Sequence, residues 1–209
     1  MSGIRMAEYL FSLVAQSTHL SYNFFINQPQ FFHCLTVFLS KIDCTEDFAM
    51  AKEVKTNAMR ILDKNKIPYE VLTYECDEFI DGLHTAEKTG APVEQSFKTL
   101  VAQGKSKAYY VFVVPIAEEV DLKKAAKAAG EKSMEMIHVK DINAVTGYIR
   151  GGCTPIGMKK QYPVFIQESA RTFDKIYVSG GKIGCTLKLN PLDLAGIVRA
   201  EFADFIVKQ

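Results

Sequence analysis

The chain has 209 residues, 48% of them apolar and 23% charged, which fits one globular domain with an extension and falls short of two full domains. A net charge of +1 excludes a global pull on polyanions, so any nucleic-acid partner must be held by a local patch. The five cysteines, Cys34, Cys44, Cys76, Cys153 and Cys185, form no CxxC pair and have no histidine at ligand spacing. That pattern argues against a disulfide framework and against zinc, and it reads as a protein of the reducing cytoplasm.

Residues 1–49 are unlike the rest. Two apolar runs, "AEYLFSLVAQ" and "FFHCLTVFL", are split by "STHLSYNFFINQPQ", and neither reaches the roughly 20 residues that span a bilayer. The start has only Arg5 as a basic residue and no clear cleavage site, so it does not read as a signal peptide. The segment is expected to be a poorly ordered, non-essential extension outside the native protein, with Met50 as the natural start of the domain 50–209. A helix lying on a membrane surface is the alternative for this segment.

From Lys52 to Lys66, Val54, Ala58, Ile61 and Leu62 recur at helical spacing, and Pro68 ends the pattern. "YEVLTYE" alternates as a strand, and a short helix is expected from Leu83 to Lys88, stopped by Gly90 and Pro92. "VEQSFKTLVAQGKSKAYYVFVVP" (Val93–Pro115) reads as two strands around a glycine-lysine turn. The second of them is apolar on both faces, as a central strand would be. Asp121 caps the helix "LKKAAKAAG". "MEMIHV" reads as a strand, "KDINAVTG" as a short helix closed by Gly147, and "PVFIQ", "KIYVSGG" and "CTLKL" as three strands. Pro191 and Asp193 open a terminal helix expected to run toward Ile206. Irregular mixing of helices with hairpin-linked strands predicts an α+β fold with a mixed, largely antiparallel sheet flanked by helices.

Two glycine-rich loops stand out, "TGYIRGGCTPIG" and "YVSGGKIG". Glycines there permit either plain turns or close approach of a ligand to backbone N–H groups, and neither loop fits a Walker or Rossmann pattern. Lys98 shares a strand face with Leu100 and Ala102, opposite Phe97, Thr99 and Val101. Two readings of it stand: a snorkelling lysine whose stem covers apolar surface, or a cation held rigidly beside a pocket. Of the histidines, His19 and His33 fall in the extension, His84 has no motif around it, and His138 sits in an apolar run. No nucleophile elbow or HExxH occurs, and Cys153 reads as a packing thiol. Lys123, Lys124, Lys127, Lys159 and Lys160 make either a phosphate-binding face or an ordinary solvated one.

The segments "AMRILDKNKIPYEVLTYE", "FKTLV", "VPIAEEVDLKKAAKAAG", "TGYIRGGCTPIG" and "FDKIYVSGGKIG", in this order from Met50 onward, resemble the YbaK/EbsC family of aminoacyl-tRNA deacylases. The resemblance implies the prolyl-tRNA synthetase editing-domain fold and trans-editing, the clearance of Cys-tRNA(Pro) and of Cys-tRNA(Cys). It implies no cofactor. Expected partners are the aminoacylated tRNA 3′ end and prolyl-tRNA synthetase, with no DNA and no membrane. By motif it assigns catalysis to Lys98, Gly151 and Gly181, and substrate binding to Tyr74, Thr99, Gly152, Ser179 and Gly180. The substrate's own thiol would attack the ester while glycine-loop N–H groups support the oxyanion. Thr186 stands where the pattern often has an acidic residue, and Cys153 where it is usually aliphatic. An Ala-tRNA(Pro) deacylase of the same superfamily and a non-catalytic tRNA- or synthetase-binding module are the alternatives.

Overall fold

The computed structural model describes residues 55–75 and 81–207. The expected extension, the start at Met50, His19, His33, Cys34, Cys44 and Cys76 lie outside the described residues.

Helix α1 (Asn57–Lys64) begins where Thr56, in extended conformation, accepts the Met59 N–H at 3.3 Å, so it starts later than the periodicity from Lys52 suggests. It buries Ala58, Met59 and Leu62. Strand β1 (Tyr69–Thr73) follows, then α2 (Gly82–Thr89), capped by Asp81 and closed by Gly90 at φ +68°. The hairpin of β2 (Phe97–Gly104) and β3 (Tyr109–Pro115) pairs Lys98 with Val114 and Gln103 with Tyr109, while Val93–Gln95 forms a 3-10 turn rather than strand. Helix α3 (Leu122–Ala128) takes its cap from Asp121. Then come β4 (Met134–Met136), α4 (Ile142–Thr146), β5 (Val164–Gln167), β6 (Ile176–Ser179) and β7 (Cys185–Leu189). Helix α5 (Pro191–Val198) and β8 (Glu201–Ala203) complete the order.

The expected helix from Pro191 to Ile206 is corrected here. Arg199 adopts the left-handed conformation at φ 54° and ends α5, and the chain then runs extended to pair in parallel with β5. Gln167 fixes this tail: its Oε1 accepts the Phe205 N–H at 3.0 Å and its Nε2 donates to Asp204 Oδ1 at 3.1 Å.

Among the described residues the strands form a three-stranded antiparallel sheet, β1-β7-β6, and a five-stranded mixed sheet, β4-β2-β3-β5-β8. Strand β3 is central in the larger one, as its apolar faces predict. Val111 and Val113 enter one core with α1 and α5, while Phe112 and Val114 enter a second with Ala125, Ala126 and Phe205. Phe112 stacks on Phe165 at 5.5 Å and meets Phe205 edge-on at 5.0 Å. Antiparallel pairings dominate, and the architecture is the expected α+β fold.

Candidate active site

The two sheets touch where Ser96 bridges to Tyr177, just before β2 begins. Strand β4 pairs only with Ala102–Gly104, so the first half of β2 keeps an open edge. A cleft of about 630 Å3 lies along that edge, and Lys98, Thr99, Tyr74, Arg150, Gly151 and Ser179 are among the residues lining it.

Lys98 is half-buried, and its Nζ donates to the Ile116 carbonyl at 3.0 Å. Burial pushes the ammonium below the usual lysine pKa, opposed by the carboxylates of Glu119 and Glu118. A partly desolvated cation on a strand is rigid and interacts more strongly with anions than one in water. Of the two readings left open by the alternation, the structure supplies the pocket that the second requires.

Tyr74 follows β1 and its N–H donates to the Gly184 carbonyl at 3.0 Å. A Cβ at Gly184 would lie 2.7 Å from the Tyr74 carbonyl, and the residue sits at φ +77°. Only glycine satisfies both conditions, so the β6–β7 loop fixes the backbone at Tyr74. Ser179 ends β6 opposite Thr186, which is buried, lines the cleft and supplies no carboxylate. The Thr99 hydroxyl oxygen is buried on the cleft wall without a hydrogen-bond partner among the described residues.

The glycines divide. Gly151, at φ +84°, lines the cleft, and its N–H meets no acceptor among the described residues. Gly152 donates to Ile149 at 3.0 Å and Gly180 to Cys185 at 2.9 Å, both closing turns. The Gly181 N–H faces Ser179 Oγ at 3.5 Å. None of these three is among the lining residues. Of the two glycines expected to donate to an oxyanion, Gly151 lines the cleft and Gly181 is not among its lining residues. Gly152, Gly180 and Gly181 shape the loops: a Cβ at Gly152 would lie 3.1 Å from the Lys182 backbone, and one at Gly181 3.2 Å from the Tyr148 ring.

Cys153 borders the cleft, and burial pushes its thiol up to about 11, so it is protonated at neutral pH and a poor nucleophile. Cys153→Ser is expected to keep deacylation within about threefold of the parent, measured on an aminoacyl-tRNA substrate; loss of a hundredfold would make it a nucleophile. His84 bonds Asp81 at 2.9 Å and His138 precedes a 3-10 turn; neither lines the cleft. Among the described residues, Asp81 is the carboxylate lining the cleft.

Sequence reasoning missed Arg150 and the apolar wall of Leu83, Met136, Ile137 and Val139. The signal for Arg150 was a cation directly preceding two glycines. The wall had no signal, because its residues come from α2, from the end of β4 and from the chain after it. Leu83 is 47% and Val139 56% exposed, unusual for large apolar side chains and suited to a flat organic ligand.

A family profile described as the aminoacyl-tRNA editing domain matches residues 83–197. A curated protein of Enterococcus faecalis, provisionally named Cys-tRNA(Pro)/Cys-tRNA(Cys) deacylase EbsC, is 43% identical over 156 residues, covering 74% of this chain and 95% of the relative. A crystal structure provisionally described as a trans-editing enzyme for prolyl tRNA synthetase aligns with TM-score 0.65 at 22% identity, covering 75% of this chain and 100% of that one. That of a hypothetical protein aligns with TM-score 0.68 at 18% identity, covering 73% and 100%. The two structural likenesses speak to fold alone.

Proposed function

This chain belongs to the aminoacyl-tRNA editing domain family, and on that premise we propose that it is a trans-editing deacylase clearing cysteine from mischarged Cys-tRNA(Pro), and from Cys-tRNA(Cys). The observation that carries the proposal is the content of the cleft. It brings together a half-buried ammonium, a backbone N–H and hydroxyl groups, while the Cys153 thiol is held protonated, and no histidine lines it among the described residues. Such a site is suited to positioning and charge stabilisation, with the nucleophile coming from the substrate.

A tRNA ester is already activated, so positioning goes far. In the proposed reaction the cysteinyl thiol loses its proton to solvent and its sulfur attacks the ester carbonyl carbon. The C–S bond forms, the bond from carbon to the ribose oxygen breaks, and that oxygen takes up a proton to leave as the tRNA hydroxyl. Water then opens the resulting thiolactone to free cysteine. Tethering raises the effective concentration of the thiol, although the four-membered ring returns part of that gain as strain.

Lys98 is proposed to hold the terminal phosphate or to steady the developing oxyanion, and the Gly151 N–H to donate to that oxygen. Tyr74, Thr99 and Ser179 would receive the ribose and the amino-acid end. Prolyl-tRNA synthetase is proposed as the partner that selects the tRNA.

A panel of cysteinyl-, alanyl- and prolyl-tRNA(Pro), with and without prolyl-tRNA synthetase, tests the reading. Cysteinyl-tRNA is expected to be cleared at least about a hundredfold faster than the others, since a pocket alone separates side chains by only about 1–3 kcal/mol per methylene. A preference for alanyl-tRNA would replace it with a water-based deacylase, and no turnover at all with a binding module.

A further inference from the structure

Charge is unevenly spread along this near-neutral chain. The segments 142–167 and 175–192 contain Arg150, Lys159, Lys160, Lys175, Lys182 and Lys188 and none of the 24 Asp and Glu residues. Lys188 is spent on Glu70 at 3.0 Å, and Lys175 is only partly exposed. The other four cations are exposed.

The fold links the segments that carry them. A Cβ at Gly152 would lie 3.1 Å from Lys182 Cα, so the loop after Arg150 rests directly on the loop of Lys182. A Cβ at Gly147 would lie 2.9 Å from Lys159 Cγ, and the Lys159 N–H donates to Thr146 at 3.0 Å. The Lys159 Nζ reaches the Asn143 carbonyl at 2.9 Å, a neutral partner that leaves its charge uncompensated. Arg150 and Gly151 line the cleft, so the first of these acid-free segments reaches the site. On α3, Lys124 is paired with Asp204 at 3.2 Å and bound to the Ile206 carbonyl at 2.8 Å, while Lys123 and Lys127 are exposed.

We infer that the interlocked loops bearing Lys159, Lys160 and Lys182, with Arg150 at the cleft mouth, form the landing surface for the phosphate backbone of the tRNA acceptor end. The inference rests on the proposed function for the identity of the polyanion. Charge complementarity and continuity with the cleft select it: once the aminoacylated end is seated, the adjoining phosphates must run over a neighbouring surface, and the segments that build this one contribute cations and no carboxylates. A chain of +1 overall gains affinity for RNA only through such a local face.

The test compares the full-length protein with its Lys159→Ala/Lys160→Ala/Lys182→Ala variant. Binding of uncharged tRNA(Pro) is measured between 50 and 300 mM salt, and deacylation on cysteinyl-tRNA(Pro) and on 3′-cysteinyl adenosine. The variant should bind tRNA at least about tenfold more weakly at low salt, with a log–log salt slope smaller by about 2 to 3. It should cleave cysteinyl adenosine as the parent does, and a triple Lys→Arg variant should retain tRNA binding. An unchanged salt slope overturns the landing surface, as does equal loss on both esters, which would indicate damage to the fold. Unchanged tRNA binding with lost association to prolyl-tRNA synthetase would reassign the face to a protein partner and overturn it too. If the parent cleaves neither ester but its tRNA salt slope falls in the variant, the deacylase reading fails while the surface stands.

Discussion

Lys98→Met is expected to reduce kcat/KM on cysteinyl-tRNA by at least about a hundredfold without lowering Tm. The activity loss follows from removing the cleft's half-buried cation, since a preorganised charge or donor at a developing oxyanion is commonly worth 10²–10³ in rate. The stability expectation follows from the lysine's lowered pKa, which arises chiefly from burial. A base whose folded pKa lies below its unfolded value disfavours the fold while charged. The penalty is complete below the folded pKa and fades as pH rises from there toward the ordinary lysine value. Methionine keeps the apolar stem, removes the buried charge and gives up one hydrogen bond to Ile116. A variant that loses activity with unchanged or higher Tm marks Lys98 as held for function. Substantial unfolding at neutral pH would mark it as structural, and full activity would remove it from the site.

Much of the fold was legible because local signals agreed with tertiary ones. Asp121, Gly90 and Gly147 punctuate helices where their chemistry predicts, and the apolar run of β3 marks the sheet's centre. The tail was misread because β8 exists only through its non-local parallel pairing with β5, and nothing around Glu201 distinguishes a short strand from a helix end. The site was legible as a set of motifs but not as geometry. Motif spacing grouped Gly151 and Gly181 as equivalent donors, yet one residue lines the cleft and the N–H of the other faces Ser179 Oγ. The open edge of β2 depends on where β4 stops, which no pattern in β2 reveals. The cationic face was half visible: what sets Lys159 apart from the lysines of α3 is its place beside Gly147, on the segment that reaches the cleft, and sequence alone does not give that.

The central claim is that the substrate brings the nucleophile, and its consequence is large. Among the described residues the thiols lining the cleft are Cys153, held protonated, and Cys185, which is buried, so neither offers a replacement to a substrate without a free thiol. Loss of an intramolecular nucleophile removes an effective molarity that can reach 10⁵ M or more in favourable geometries, less here because of ring strain. The most direct measurement compares deacylation of cysteinyl-tRNA(Pro) with that of S-methylcysteinyl-tRNA(Pro), which adds one methyl group and blocks the sulfur. Sterics alone account for a change of about 10- to 200-fold. The account predicts that the methylated ester decays at its uncatalysed rate while the parent is cleared at least about a thousandfold faster. Clearance of the two esters within tenfold of each other would contradict it and place the nucleophile on water.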